Sequence, residues 1–306
     1  SINEKTKKEL SELGVEFEEG THSLERILKS DWVVKSPGIP NSAKPIQDLR
    51  AKGAVVVSEI EFAYHFTEAK IVGITGSNGK TTTTLLTTHL LKSAGINAMS
   101  AGNVGNSFSS LLIDNTPDVI VLELSSFQLE DVQDFKADIS ILLNITPDHL
   151  DRYEYDIEKY AEAKFNLLNN QQGNDVVIYN FDDNRINKKL EAKQIKKVAI
   201  STQKRLKAGA YADDEFLVFD TKKEIEILPK KDLPLIGEHS EYNQMFSIMV
   251  GLELGLDIKK ILEGLSSFKN ASHRMEFVAE FSGVEFINDS KATNVDAVYY
   301  ALGAMK

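Results

Sequence analysis

Short apolar runs alternate with longer amphipathic stretches along most of this chain, the pattern of a parallel sheet covered by helices. Near the start, "DWVVKS" (31–36) and "GAVVVSE" (53–59) are β-rich, and "SAKPIQDLRAKG" between them reads as a helix, so the three predict a βαβ unit. "SPGIPNSAKP" (36–45) is a Pro/Gly loop at a strand's carboxyl end, where open α/β sheets bind ligands; a plain connecting loop is the alternative. From residue 59 to about 270 the pattern continues on a larger scale. "AKIVGIT" predicts a buried strand, and "KTTTTLLTTHLLKSAG" a helix ending at Gly95, a good C-terminal cap. "DVIVLEL" (118–124) and "ADISILLN" (137–144) are near-continuous apolar runs, as central parallel strands require. "DIEKYAEAKFNLLNN" (156–170) reads as a helix, "DVVIYN" and "KKVAIS" as strands, and residues 210–228 as a small β meander. "GEHSEYNQMFSIMVGLELG" (237–255) and "DIKKILEGLSSF" read as helices. Near Ser272 the pattern changes: "RMEFVAEFSGVEFIND" predicts two strands around Ser282-Gly283, with a helix start at "SKATNVDA".

Composition narrows the class. The 306 residues suffice for about two domains of roughly 100 to 200 residues each. A hydrophobic content of 42% and a charged content of 26% fit a soluble globular protein. The net charge of −11 argues against general nucleic-acid binding, though a local cluster of N–H groups and lysines can still hold an anionic small molecule. With no cysteine there is no disulfide, zinc-thiolate site or thiol nucleophile. No apolar run reaches the roughly 20 residues of a membrane span, and the polar start shows no signal peptide, so a cytoplasmic protein is expected. Both ends look cut, the expectation being a piece of a longer chain.

Candidate chemistry centres on "KIVGITGSNGKTTTT" (70–84). The common phosphate loop has a Gly five residues before the Gly of Gly-Lys-Thr, but here Ile74 stands there and Gly76 comes three residues before Gly79. The context is nevertheless that of a phosphate cradle. A strand feeds "GSNG" (Gly76, Ser77, Asn78, Gly79), and the following helix opens with its N–H groups and partial positive charge toward the loop. Lys80 adds a full charge, and Thr81 a hydroxyl for Mg²⁺. Glu123, near the end of a buried strand, would lie beside the loop at the carboxyl edge; alone it could be a structural edge residue, but with the loop the reading is that it shares that ion. "LLNITPDHLDRY" (142–153) sends a strand into a loop bearing Asp148, His149, Asp151 and Arg152, placing His149 for a metal or substrate. Lys164 sits in "YAEAKFNLL" beside an apolar stripe, and on spacing alone it reads as a snorkelling surface lysine.

Taken in order, "GSNGKTT", "GNVG" (102–105), "ELSSFQLE", "NITPDHLDRY", "YAEAK", "GEHSEYN" and "HRMEF…INDSKATN" resemble the Mur ligases, whose phosphate loop is the shortened Gly-x-x-Gly-Lys-Thr. The resemblance covers nearly the whole chain, and "ELSSFQL" and "DHLDRY" point to the D-glutamate-adding branch. It implies an α/β fold in three parts. These are a partial Rossmann-like N-terminal domain for the uridine substrate (1–58), a central parallel-sheet ATPase domain with its β meander (59–270), and the truncated start of a Rossmann-like C-terminal domain (271–306).

The implied activity uses ATP to join D-glutamate to UDP-N-acetylmuramoyl-L-alanine through an acyl phosphate, with two Mg²⁺ ions, in a cytoplasmic monomer of peptidoglycan precursor synthesis. By motif, Lys80, Thr81 and Thr82 hold phosphates; Thr81 and Glu123 hold the first Mg²⁺; His149 helps to hold the second. Lys164 matches the family's carbamylated lysine, which reverses the surface reading. Asn103 and Ser125 would contact the muramoyl-alanine part, and Asn243, Arg274, Asp289 and Lys291 the nucleotide. Ser36, Pro37 and Gly38 match a loop near the uridine substrate.

Two departures stand out. The family's His-Asn-x-x-Asn is here His239-Ser240-Glu241-Tyr242-Asn243, and the opening strand and most of the C-terminal domain are missing. The expectation is a fragment that binds ATP weakly and turns over little. Alternatives are another ligase of the superfamily (L-alanine-adding, or a folylpolyglutamate synthase) and a nucleotide-binding module without catalysis.

Overall fold

In the computed structural model, which describes residues 2–221, 224–235, 237–270, 272–292 and 295–303, two short helices open the chain. These are α1 (Glu4–Glu12) and α2 (Leu24–Ile27). The expected βαβ unit follows: β1 (Val33–Lys35), α3 (Lys44–Ala51) and β2 (Val56–Ser58), with Val33 opposite Val56 in parallel register. Its small core joins Ile46 and Leu49 of the helix to Val56. Ser58 then caps α4 (Glu59–Tyr64), its Oγ accepting from Glu61 N at 3.2 Å.

The next nine strands form one sheet. They are β3 (Lys70–Thr75), β4 (Ala98–Gly102), β5 (Val119–Glu123), β6 (Ile139–Leu142), β7 (Val176–Asn180), β8 (Lys196–Ser201), β9 (Gly209–Ala212), β10 (Phe216–Asp220) and β11 (Ile225–Pro229). Their spatial order is β11-β10-β9-β8-β7-β6-β3-β5-β4. Pairing is parallel from β4 through β9 and antiparallel at β9-β10-β11, so the expected meander is an extension of the main sheet.

Both faces are covered, which explains the continuous apolar runs. Along β5, Val119 and Val121 enter one core while Ile120 and Leu122 enter the other. The first core includes residues of α5 (Lys80–Ser93), and the second residues of α6 (Phe108–Asp114), α8 (Ile157–Phe165) and α9 (Asn184–Glu191). A four-residue helix, α7 (Ser126–Leu129), lies between β5 and β6. Helices α10 (Glu238–Glu253) and α11 (Ile258–Ser267) complete the first core.

The chain order places the site. β3 lies between β5 and β6, while β4 sits beyond β5, so the chain leaves β3 in one direction and returns on its other side. The crevice outside the carboxyl ends at such a reversal is where open α/β sheets hold ligands. The last elements are a hairpin of β12 (Glu276–Phe281) and β13 (Val284–Asn288), then α12 (Val295–Gly303). Ser282 (φ 54°) and Gly283 (φ 77°) make its two-residue turn in the left-handed region that matches strand twist. Among the described residues, no helix is long and apolar enough to cross a membrane.

Candidate active site

The loop after β3 is held by its neighbours before any ligand is considered. A side chain at Gly76 would meet Leu143 Cβ at 2.8 Å, and one at Gly79 (φ 86°) would meet Asn243 Oδ1 at 2.5 Å, so only glycines fit these walls. Asn144, just past β6, grips the loop from both directions. Its Oδ1 accepts from Asn78 N at 2.8 Å, and its Nδ2 donates to Asn78 O at 3.1 Å. Ser77 Oγ donates to Thr146 O at 2.8 Å and lies 3.1 Å from Tyr160 Oη. Burial pushes the Tyr160 phenol up to about 12, so it stays protonated as a hydrogen-bonding post at neutral pH. Asn144 was legible only as part of a strand end.

Two lysines converge on this loop. Lys80 Nζ donates to Gly76 O and Ser77 O, both at 2.8 Å, and Lys164 Nζ donates to the same Gly76 O at 2.9 Å. The surface reading of Lys164 is therefore corrected: it is 1% exposed, with its Nζ 4.4 Å from the Tyr160 ring centre. Burial, and then the nearby Lys80 charge, hold Lys164 well below the ordinary lysine range, with Asp148 opposing. Burial also lowers Lys80, against the pull of Glu123 and Asp148. Such a pair favours a bound anion.

Across the crevice stands Glu123, the last residue of β5. Its Oε1 accepts from Asn103 Nδ2 at 2.7 Å, but its buried Oε2 has no donor among the described residues. A buried, unpaired carboxylate oxygen beside a phosphate-type loop fits a hard cation such as Mg²⁺. Thr81 Oγ1 accepts from Arg274 Nη2 at 2.9 Å, which brings the segment after α11 onto the loop, and Thr82 is buried in the helix.

The other expected residues fall in different places. His149 has a left-handed backbone (φ 50°), a side chain 60% exposed, Asp148 Oδ2 at 3.7 Å and the Phe127 ring at 5.3 Å. Asn243 is buried, with Oδ1 3.1 Å from Thr83 Oγ1. Asp289 Oδ1 accepts from Met275 N at 3.1 Å, bracing the chain beside Arg274. Lys291 is exposed and tied only through its backbone N–H to His273 O. Ser125 is engaged in capping α7 with Gln128, whose N–H donates to its Oγ at 3.2 Å. Ser36, Pro37 and Gly38 form the loop after β1, where Gly38 O accepts from Arg152. Ser240 N–H donates to Gly237 O, and the His239 side chain lies outside the described residues.

A cavity of about 180 Å³ opens beside Asn78, lined by Asn144, Asp182, Tyr242, Asn243 and Phe246. Asp182 accepts from Ser201 Oγ at 2.7 Å, from Thr202 N at 2.9 Å and from Tyr242 Oη, and Tyr242 stacks near Phe246. Sequence reasoning missed this pocket, because its walls come from five separate segments. A second acidic group, Glu61 with His65 and Asp134, has metal-like spacing. There, however, Glu61 accepts from the backbone N–H groups of Gln133, Asp134 and Phe135, which makes it a loop brace.

Comparison with known proteins agrees with this geometry. Residues 74–251 match the Mur ligase middle domain. The chain is 46% identical to a UDP-N-acetylmuramoylalanine–D-glutamate ligase of Cytophaga hutchinsonii, covering 97% of this chain and 67% of that protein. It is 44% identical to the enzyme of that name from Christiangramia forsetii, covering 100% and 69%. The chain thus spans about two thirds of the length of these relatives. Among solved structures, MurF from Acinetobacter baumannii superposes with a TM-score of 0.65 at 20% identity, over 81% of this chain and 57% of that one. A pseudomurein peptide ligase type C from Methanothermus fervidus gives 0.64 at 20% identity, over 98% and 70%. At such identities these two show the fold alone. With a phosphate loop of the shortened kind, a match to the family's middle domain over more than half of the chain and relatives of over 40% identity along almost all its length, the chain belongs to the Mur ligase family.

Proposed function

We propose that the chain is the ATP-handling part of a ligase that adds D-glutamate to UDP-N-acetylmuramoyl-L-alanine in peptidoglycan precursor synthesis. The observation that carries this is the convergence of Lys80 and Lys164 on the Gly76 carbonyl, opposite the unpaired Glu123 Oε2. The chemistry brings a carboxylate to a triphosphate, two anions that repel. Charge neutralisation and positioning carry such phosphoryl transfer.

Lys80 and the N–H groups of the loop and α5 hold the phosphates as the γ-phosphoryl group passes to the substrate carboxylate. The amine of D-glutamate then attacks the acyl phosphate and phosphate leaves. Thr81 and Glu123 would hold a Mg²⁺ ion, which supplies charge neutralisation; His149 would serve a second ion after a side-chain rotation. Asn144, Asp182 and Tyr242 frame a pocket for the base, beside Asn243, while Arg274, Asp289 and Lys291 belong to a segment that approaches the nucleotide as it closes. Asn103 and Ser125 would meet the muramoyl-alanine part, and Ser36, Pro37 and Gly38 the uridine side.

On this reading Lys164 would be carbamylated, which its burial beside the phosphate loop supports. Burial favours its neutral amine, whose lone pair would attack CO₂; a C–N bond forms, one proton leaves to solvent, and the neutral amine becomes a carbamate anion. That anion would sit beside Lys80. We take the three domains as 1–58, 59–270 and 271–306, in a cytoplasmic monomer.

The test is phosphate release by the full-length protein with ATP, Mg²⁺ and UDP-N-acetylmuramoyl-L-alanine, offering D-glutamate, L-glutamate, L-alanine and meso-diaminopimelate in turn. Release with D-glutamate alone is expected. Release with another of them would move the protein to a different branch, and none at all would leave a nucleotide-binding module.

A further inference from the structure

Two motifs of the chain end in residues that the reaction above does not use: Glu130, closing "ELSSFQLE", and Arg152, within "DHLDRY". The fold brings them together. Arg152 Nε donates to Glu130 Oε1 at 2.9 Å and its Nη2 to Glu130 Oε2 at 2.8 Å, a bidentate pair with both side chains nearly buried. The guanidinium lies 4.3 Å from the Phe127 ring centre, a stacking that fixes its plane. Its outer edge reaches back to the N-terminal unit, where Nη1 lies 3.4 Å from Gly38 O and Nη2 3.3 Å from Ile39 O. Asn41 Nδ2 extends to Glu130 Oε2 at 3.5 Å. The 36–41 loop is therefore held against the central sheet by this planar cation and its carboxylate together with Lys35, whose Nζ pairs with Asp131 and donates to Ile39 O at 2.7 Å.

The other side of the pair leads to the phosphate loop. Tyr153 Oη donates to Glu130 Oε1 at 2.8 Å, the Tyr153 ring meets the Tyr160 ring at 5.5 Å, and Tyr160 Oη reaches Ser77 Oγ. The segment that carries Arg152 is itself held in costly backbone conformations, with His149, Glu154 and Tyr155 all in the left-handed region (φ 50°, 56° and 60°). Such a loop keeps its shape only if something outside it holds it, and the Arg152–Glu130 pair does so.

We infer that Arg152, seated on Glu130, is a positioning residue that sets the 36–41 loop, and through it the nucleotide-sugar substrate, at the correct distance from the phosphate loop. This rests on the functional reading above only for the identity of that substrate. Lysine at 152 keeps the charge but loses the fork and the stacking plane, which makes Arg152→Lys and Glu130→Gln the informative variants.

Two measurements in the full-length protein decide it. Amide hydrogen exchange is followed at residues 36–43, where Ile39 N–H donates to Ser36 O and Ala43 N–H to Pro40 O, with β3 as internal control. Steady-state kinetics give separate KM values for UDP-N-acetylmuramoyl-L-alanine and ATP. Both variants are expected to speed exchange at 36–43 but not in β3. They are also expected to raise KM for the nucleotide sugar about tenfold while KM for ATP holds, the signature of lost placement. Unaltered exchange overturns the clamp. Faster exchange with an unaltered nucleotide-sugar KM overturns its role in substrate placement, and so does a parallel rise in both KM values. If the unsubstituted protein shows no turnover with D-glutamate, the functional reading falls and takes the substrate half of the inference with it. The exchange result then still decides the clamp.

Discussion

Lys164 is the residue at which structure and spacing diverge most. Its sequence neighbours Tyr160, Phe165, Leu167 and Leu168 mark an apolar stripe, and a lysine beside such a stripe is as compatible with snorkelling as with burial. The family resemblance reverses the surface reading, and the packing of α8 against the phosphate loop buries the side chain. The depressed pKa has a thermodynamic consequence of definite sign. Below its folded value Lys164 is charged in both states, and the folded protein bears the whole cost of a buried ammonium. Between that value and 10.5 the unfolded chain binds the extra proton, so stability rises with pH across this window, and above it the penalty is gone. Lys164→Met should therefore raise Tm at pH 7 in CO₂-depleted buffer by about 2 °C or more. The gain should shrink as pH approaches 10.5. Scanning calorimetry at several pH values would show it, and a variant less stable than the parent at pH 7 would contradict the assignment.

Elements show where local propensity was overruled. Helix α5 opens with Lys80 and four threonines, poor helix formers, yet it is helical because Leu86, Leu90 and Leu91 pack into the first core, and several of its threonine hydroxyls, though not that of Thr84, find partners. Thr83 Oγ1 donates to Gly79 O, Thr88 Oγ1 to Thr84 O, and Thr87 Oγ1 to Ser247 Oγ on α10. The flanking strand and glycine cap made that helix legible. Strand β4 was not, because "AMSAG" has no β-branched residue and owes its existence to pairing with β5. That pairing is close. A side chain on Gly102 (φ 102°) would meet Glu123 O at 2.3 Å, a backbone atom that cannot yield without moving the strand. Gly102→Ala should cost about 2–4 kcal/mol in denaturant unfolding. It should also weaken Mg²⁺-dependent ATP protection, since Glu123 moves with β5. A shift of under about 0.5 kcal/mol would mean that the edge adapts freely.

For the whole molecule, the question is how the N-terminal unit is held to the nine-stranded sheet. Consecutive acids do it: Glu130 through Arg152, and Asp131 through Lys35 (2.8 Å) and Arg50, with Lys35 and Asp131 almost fully buried. Each motif was readable alone, but no local pattern pairs residues 35 and 131. Asp131→Asn would leave Lys35 buried without a counter-charge and should cost about 3–5 kcal/mol. The chain's one tryptophan reports on the same joint, since Trp32 packs edge-on against Phe62 and His65 at 5.8 and 4.9 Å. Its emission should shift to the red in the variant, well before global unfolding; coincident transitions would show that the joint does not open by itself. Residues 123–131 also form a mechanical link. The Glu123 carboxylate is at one end and the docking acids are at the other. Helix α7 between them is closed by its capping box and pinned where Asn166 Nδ2 donates to Leu129 O at 2.9 Å. A connecting rod of fixed length has no slack, so a wedge driven into the seam between the N-terminal unit and the sheet would arrive at Glu123 undamped. Inhibition that competes with neither nucleotide is the expected signature of any change that displaces that seam.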